Sequence, residues 1–200
     1  MKLSSILGAV CVAFLSVSSW CANPPTVTIA VDATTASRKI FHATLKIPAT
    51  PGNLTLYYPK WIPGEHAPDG PVDDLAGLEF SAAGKTLKWR RDLLDGFTIH
   101  VDVPAGTNEI TAELAFLSPA TFEGGFSAGS SATDKLAVIS WNQVLLYPAG
   151  FKSDDINYSA SLKLPDGWKF GTPLPVTSQS GNEIKFATVS LTTLVDSPVI

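Results

Sequence analysis

"IFHATLKI", residues 40–47, alternates strictly: Phe41, Ala43, Leu45 and Ile47 are apolar, while His42, Thr44 and Lys46 are polar. A two-residue period places one set of side chains on each face of an extended strand, so one face packs and the other stays wet. The same period recurs on both sides of this stretch. In "TVTIAVD" (26–32) the apolar positions are Val27, Ile29 and Val31. In "FTIHVDV" (97–103) they are Phe97, Ile99, Val101 and Val103, set against Thr98, His100 and Asp102. "EITAELAF" (109–116) and "YSASLKL" (158–164) repeat it. A helical period hardly occurs. Turn signals punctuate the strands at short intervals: "AAGK" around Gly84, "PAGTN" at 104–108, "PDGW" at 165–168 and "SGNE" at 180–183. The reading is all-β: an antiparallel β-sandwich or saddle-shaped sheet of some ten strands, with no substantial helix after residue 22. The continuous apolar run "LAVISWNQVLLY" (136–147) reads as one central strand, or as two with a bend at Asn142.

The chain has 200 residues, 15 Gly, 15 Pro and a formal net charge of −4 at pH 7. Its start differs from the rest. Met1-Lys2 precede ten apolar residues, Ile6–Leu15, and the small residues of "SVSSWCA" follow. This pattern is that of a secretory signal peptide over residues 1–22, too short to span a bilayer. The expected location is periplasmic or secreted, with lipid anchoring at Cys21 a minor alternative because Trp20 precedes it. No later run is apolar enough for a transmembrane segment. Cys11 and Cys21 are the only cysteines and both lie in this leader, which leaves residues 23–200 without an intrachain disulfide. That remainder reads as one β domain, long enough to bury a core without staples. Acidic and without a basic cluster, it has little to offer a phosphate backbone; no nucleic-acid partner is expected.

Several chemical motifs dissolve on inspection. "GFSAG" (125–129) fits the pattern of a serine-hydrolase elbow, but that motif needs a following helix and a later histidine, and no histidine follows His100. It lies in a Gly/Ser-rich stretch, "GGFSAGSSATD" (124–134), read as a loop. His42, His66 and His100 show no HExxH spacing, and a zinc site would require two strand faces and a loop to converge. No catalytic and no metal-binding residue is assigned. Glu65, Asp69, Asp73 and Asp74 crowd one loop without calcium-loop spacing, and read as a solvated charged turn.

That loop is the most specialised part of the chain: "YYPKWIPGEHAPDGPVDDLAGLEF" (57–80). Pro63 fixes φ, Gly64 allows a tight turn, Trp61 is expected to anchor the corner by burial, and Glu65 and His66 face outward. Long ordered loops on β scaffolds gather binding residues. Trp61, Gly64, Glu65 and His66 are therefore the substrate-cleft candidates.

The loop resembles a segment of the M61 peptidase family, the glycyl aminopeptidases, in which a "P-x-W-x-P-G-x-Y"-like run recurs. "SWNQVLLYPAG" (140–150), "LPDGWKFGTPL" (164–174) and "LTTLVDSPVI" (191–200) are similar to it in the same order. Glu65-His66 depart from it, standing where the family more often has a small residue and a tyrosine. The resemblance implies the N-terminal β domain of an exported zinc metallo-aminopeptidase, packed on a thermolysin-like catalytic domain that bears HExxH. This 200-residue chain has no HExxH and on that reading is inactive alone. Zinc is expected in the catalytic domain, with no cofactor in this chain. The partners implied are that catalytic domain and a peptide substrate. Residues Trp61 to His66 would then help wall the cleft, Glu65 attracting the substrate's α-ammonium. The alternative is a free-standing exported β-sandwich binding module for peptide or glycan.

Overall fold

The structure is a computed structural model that describes residues 24–62, 64, 66–120 and 132–200. Among these residues the strands are β1 (Thr26–Asp32), β2 (Ile40–Pro48), β3 (Gly52–Tyr57), β4 (Leu75–Ala82), β5 (Lys85–Thr86), β6 (Trp89–Arg91), β7 (Thr98–Val103), β8 (Glu109–Leu117), β9 (Tyr147–Pro148), β10 (Asn157–Lys163), β11 (Val176–Ser180), β12 (Glu183–Phe186) and β13 (Val189–Ser190). One short α-helix, α1 (Leu191–Val195), follows. Ser190 caps it, its side chain accepting the Thr193 N–H.

Two sheets result. The larger runs β11-β12-β10-β1-β2-β8-β4-β5, with β13 also paired to β10; the smaller runs β6-β7-β3-β9. The all-β expectation holds, with one addition. β1 and β10 pair in parallel, Val27 opposite Tyr158 and Val31 opposite Leu162, so the larger sheet is mixed. Periodicity reports which face a residue occupies and carries nothing about the direction of a distant neighbour, so this pairing is invisible locally.

The alternation does its work in the core. Val27, Ile29, Phe41, Leu45, Ile47, Ile110 and Phe116 of the larger sheet are fully buried, and they share one apolar cluster with Leu56, Ile99 and Val101 of the smaller. Full burial of each large side chain is worth about 1.5–3 kcal/mol. The intervening residues His42, Thr44 and Lys46 are exposed. The turns close where expected: Gly84, Gly106, Gly167 and Gly181 all adopt positive φ, the region that glycine enters without steric cost.

The 136–147 run is not a central strand. Its interior forms a buried 3-10 turn, Trp141–Gln143, and only Tyr147–Pro148 joins a sheet. Two of its carbonyls are claimed by tyrosine side chains. Tyr58 Oη donates to Gln143 O at 3.0 Å, and Tyr158 Oη donates to Leu146 O at 2.8 Å. Trp141 Nε1 donates to Ser197 O at 2.9 Å, which ties the turn to the C-terminal stretch. From Trp141 to Leu146 every residue is buried, Asn142 and Gln143 included, and a run buried on all its faces has no period to read. The leader (1–22) and "GFSAG" (125–129) lie outside the described residues. Among the described residues no helix is long and apolar enough to cross a membrane.

Candidate functional site

β3 leaves the smaller sheet at Tyr57, and the chain returns at Leu75 to begin β4. Between them the loop is pinned at its base. Tyr58 is fully buried; its N–H donates to Phe97 O at 2.9 Å while its hydroxyl reaches Gln143 O. Burial, and secondarily the Asp74 carboxylate, pushes the Tyr58 phenol up, so it stays a neutral donor. A second closure makes a neck. Gly70 N donates to Lys60 O at 3.0 Å, joining the ends of residues 60–70 in the manner of a compact Ω-loop. Only glycine fits there: a Cβ at position 70 would stand 1.9 Å from Pro59 O.

Of the four cleft candidates, Gly64 takes positive φ at 87° and His66 is exposed, both as a projecting turn requires. Glu65 lies outside the described residues, as does Pro63. Trp61 corrects the sequence reading. It is 64% exposed, and the burial assigned to it belongs instead to Tyr58 and to Ile62, which is 6% exposed. Tyr58 can bury its body because a carbonyl meets its hydroxyl, and Ile62 has no polar atom to satisfy, whereas the indole is left over a groove. That open groove, of about 420 Å³, is lined by Trp61, Ile62, Tyr147, Phe151, Leu191 and Val195 among others. The loop and helix α1 therefore form its two walls.

The acidic cluster is not uniformly solvated either. Asp69 and Asp73 are exposed, but Asp74 is half-buried, and its burial and then the neighbouring Asp73 push its carboxyl up. Among the described residues no group of three His, Cys, Asp or Glu converges as a metal site. The histidines stand apart: His42 on the larger sheet, His66 on the loop and His100 on β7.

One ordered turn escaped the sequence reading. Beside the loop, the turn between β6 and β7 is held by two carboxylates. Asp92 accepts from the N–H groups of Leu94 (2.9 Å) and Asp95 (3.2 Å) and pairs with His100 Nε2 at 3.1 Å. The Leu94 N–H first, and then His100, hold the Asp92 carboxyl below its usual range. Asp95 accepts from Lys60 Nζ at 3.1 Å and from Thr98 Oγ1 at 3.0 Å, and Lys60 above all holds its carboxyl down. Lys60 also lies over the Phe97 ring, 5.1 Å from its centroid. The signal available in "RRDLLDGF" was its two aspartates three apart around a Leu-Leu pair, a spacing suited to side chains that bond the backbone ahead of them.

Known structures share this architecture. An aminopeptidase N family protein from Idiomarina loihiensis superimposes with a TM-score of 0.69 at 16% identity, over 86% of this chain and 28% of that one. An M1 zinc metallopeptidase from Deinococcus radiodurans, bound to a Tyr-Ser-Ala substrate, gives 0.53 at 8% identity, over 88% of this chain and 41% of that one. At such identities the likeness is one of fold. The chain spans well under half the length of either protein. No curated protein sequence matches the chain at a significant level. Residues 28–200 match the family described as the Peptidase M61 N-terminal domain, and to that family the chain belongs.

Proposed function

We propose that this chain is the non-catalytic N-terminal β domain of an exported zinc aminopeptidase of M61 type. In this role it packs on a thermolysin-like catalytic domain of the same polypeptide and helps shape the peptide-binding cleft. The observation that carries the reading is the groove walled by Trp61 and helix α1: a large indole held 64% exposed beside Leu191 and Val195 is an apolar surface without a cover. Membership of an N-terminal-domain family and the greater length of both structural relatives support it.

Zinc is assigned to the catalytic domain and not to this chain. Its contribution is positional. The neck at Gly70 fixes the base of the loop that carries Gly64 and His66. Glu65 is the carboxylate we assign to the substrate's α-ammonium, an attraction that strengthens where water is excluded. Export rests on the signal-peptide pattern of residues 1–22.

The test is genetic and then kinetic. The reading frame beyond codon 200 should encode HExxH, and a stop codon there would favour the free-standing binding module. In the full-length enzyme, Glu65→Gln should lower kcat/KM on substrates with a free amino terminus. Unchanged kinetics would remove Glu65 from the cleft.

A further inference from the structure

Leu93 and Leu94 are 96% and 98% exposed, the most exposed large apolar side chains among the described residues. Exposed leucines are common singly, but a rigid adjacent pair is a different matter. This pair sits on an ordered turn. Asp92 N donates to Thr98 O at 2.9 Å and Thr98 N to Asp95 O at 2.9 Å, closing the hairpin below it. Asp92 receives the Leu94 and Asp95 N–H groups from inside, and Arg91 Nη1 donates to Gly96 O at 2.6 Å. The backbone entropy that a partner would otherwise have to remove is already gone, which is the condition under which exposed apolar groups bind well.

The turn's position says which partner. Thr98, where β7 begins, pairs with Tyr57, and Tyr57 pairs with Tyr147. Two strand spacings put the turn's base roughly 10 Å from Tyr147, a wall of the groove. Lys60, bonded to Asp95, is the residue before Trp61. The leucine turn, Trp61 and the groove thus occupy one end of the smaller sheet. The same groove is lined by α1, and at most about 18 Å of chain separates Val195 from Ile200, which is bonded to Gly171.

We infer that Leu93 and Leu94 form a preorganised apolar plug that seats in the domain following Ile200, a second anchor of the interdomain joint alongside Trp61. The occupant is that domain, because both structural relatives extend far beyond the part this chain covers and because α1, which ends five residues before Ile200, lines the groove at this end of the smaller sheet. The Lys60–Asp95 bond ties the residue before Trp61 to the leucine turn. This inference rests on the reading of the chain as the leading domain of a longer peptidase.

The experiment is cysteine labelling in the full-length polypeptide. Leu94→Cys, and separately Leu93→Cys, are reacted with a maleimide, and modification is read by mass spectrometry on the peptide released after Arg91. Ser178→Cys, on the exposed strand β11, is the reference. Both test positions should label at least about tenfold more slowly than the reference, as an interface that excludes water requires. Labelling within twofold of the reference, in a polypeptide that does encode a following domain, overturns the plug and leaves the domain reading intact. A reading frame with no following domain overturns both. Protection that appears only on adding phosphatidylglycerol vesicles, or only as protein concentration rises, also overturns it, by assigning the leucines to a lipid surface or to a second copy.

Discussion

Gly70→Ala tests the account of how the loop is held. The glycine does not adopt positive φ, so backbone preference gives no reason against alanine; by that criterion alone the change would stabilise by about 0.4–1 kcal/mol. The contact reverses the sign. An added Cβ meets Pro59 O at 1.9 Å and Pro59 C at 3.0 Å, both backbone atoms that no rotamer change can move. Restoring an ordinary contact of 3.4 Å means opening the neck by about 1.5 Å. That breaks the Gly70 N–Lys60 O bond, worth about 1 kcal/mol net, and forces overpacking strain of about 1–3 kcal/mol. The sum is about 2–4 kcal/mol. With a urea slope of about 2 kcal/mol/M, the unfolding midpoint falls by about 1–2 M. If the strain is relieved by the loop alone, trypsin cleavage after Lys60 accelerates instead. Gly96→Ala is the control, since nothing lies within 4 Å of its Cβ position. A Gly70→Ala chain that matches the parent in both urea midpoint and cleavage rate would refute the neck.

Other outcomes follow from the same geometry. Trp61→Ala should leave the stability of the domain within about 0.5 kcal/mol, as for an exposed site, whereas Ile62→Ala should cost about 2–4 kcal/mol; urea melts of the pair check which residue is the anchor. Asp92 and Asp95 titrate below the ordinary value of about 3.9, so their stabilisation is complete above that pH and is lost as pH falls through the lower folded values. Asp92→Asn should therefore flatten the loss of urea midpoint on the acid side. Asp74 has the opposite sign: its folded value is raised, so its contribution is present below about 3.9 and is lost as pH rises through that raised value. Asp74→Asn should gain stability relative to the parent as pH rises through this window, a trend that the same pH series of melts would show.

How much of this was legible depended on whether the determining contact was local. The alternation of Phe41, Ala43, Leu45 and Ile47 is a local fact, and it placed β2 in the core correctly. The glycines at 84, 106, 167 and 181 marked turns because positive φ is a property of one residue. The parallel partnership of β1 with β10 joins residues more than a hundred positions apart, and nothing in "TVTIAVD" encodes the direction of its neighbour. Residues 136–147 defeated periodicity because Tyr58 and Tyr158 take carbonyls that a strand would have offered to a sheet. Trp61 looked like an anchor because tryptophan is usually buried; here Tyr58 and Ile62 are buried instead, a choice made by tertiary packing that residue types do not announce. The same holds for Leu93 and Leu94, whose exposure is readable only once Asp92 and Asp95 are seen to bond the turn from within.

The central claim is that this domain positions and does not cleave. It is tested most directly by following release of a chromogenic amine from an aminoacyl anilide by the chain through Ile200, in parallel with the full-length polypeptide, both with added zinc. Turnover is expected from the full-length polypeptide and none above buffer from the shorter chain. Turnover by the shorter chain that disappears when one of its own side chains is changed would contradict it.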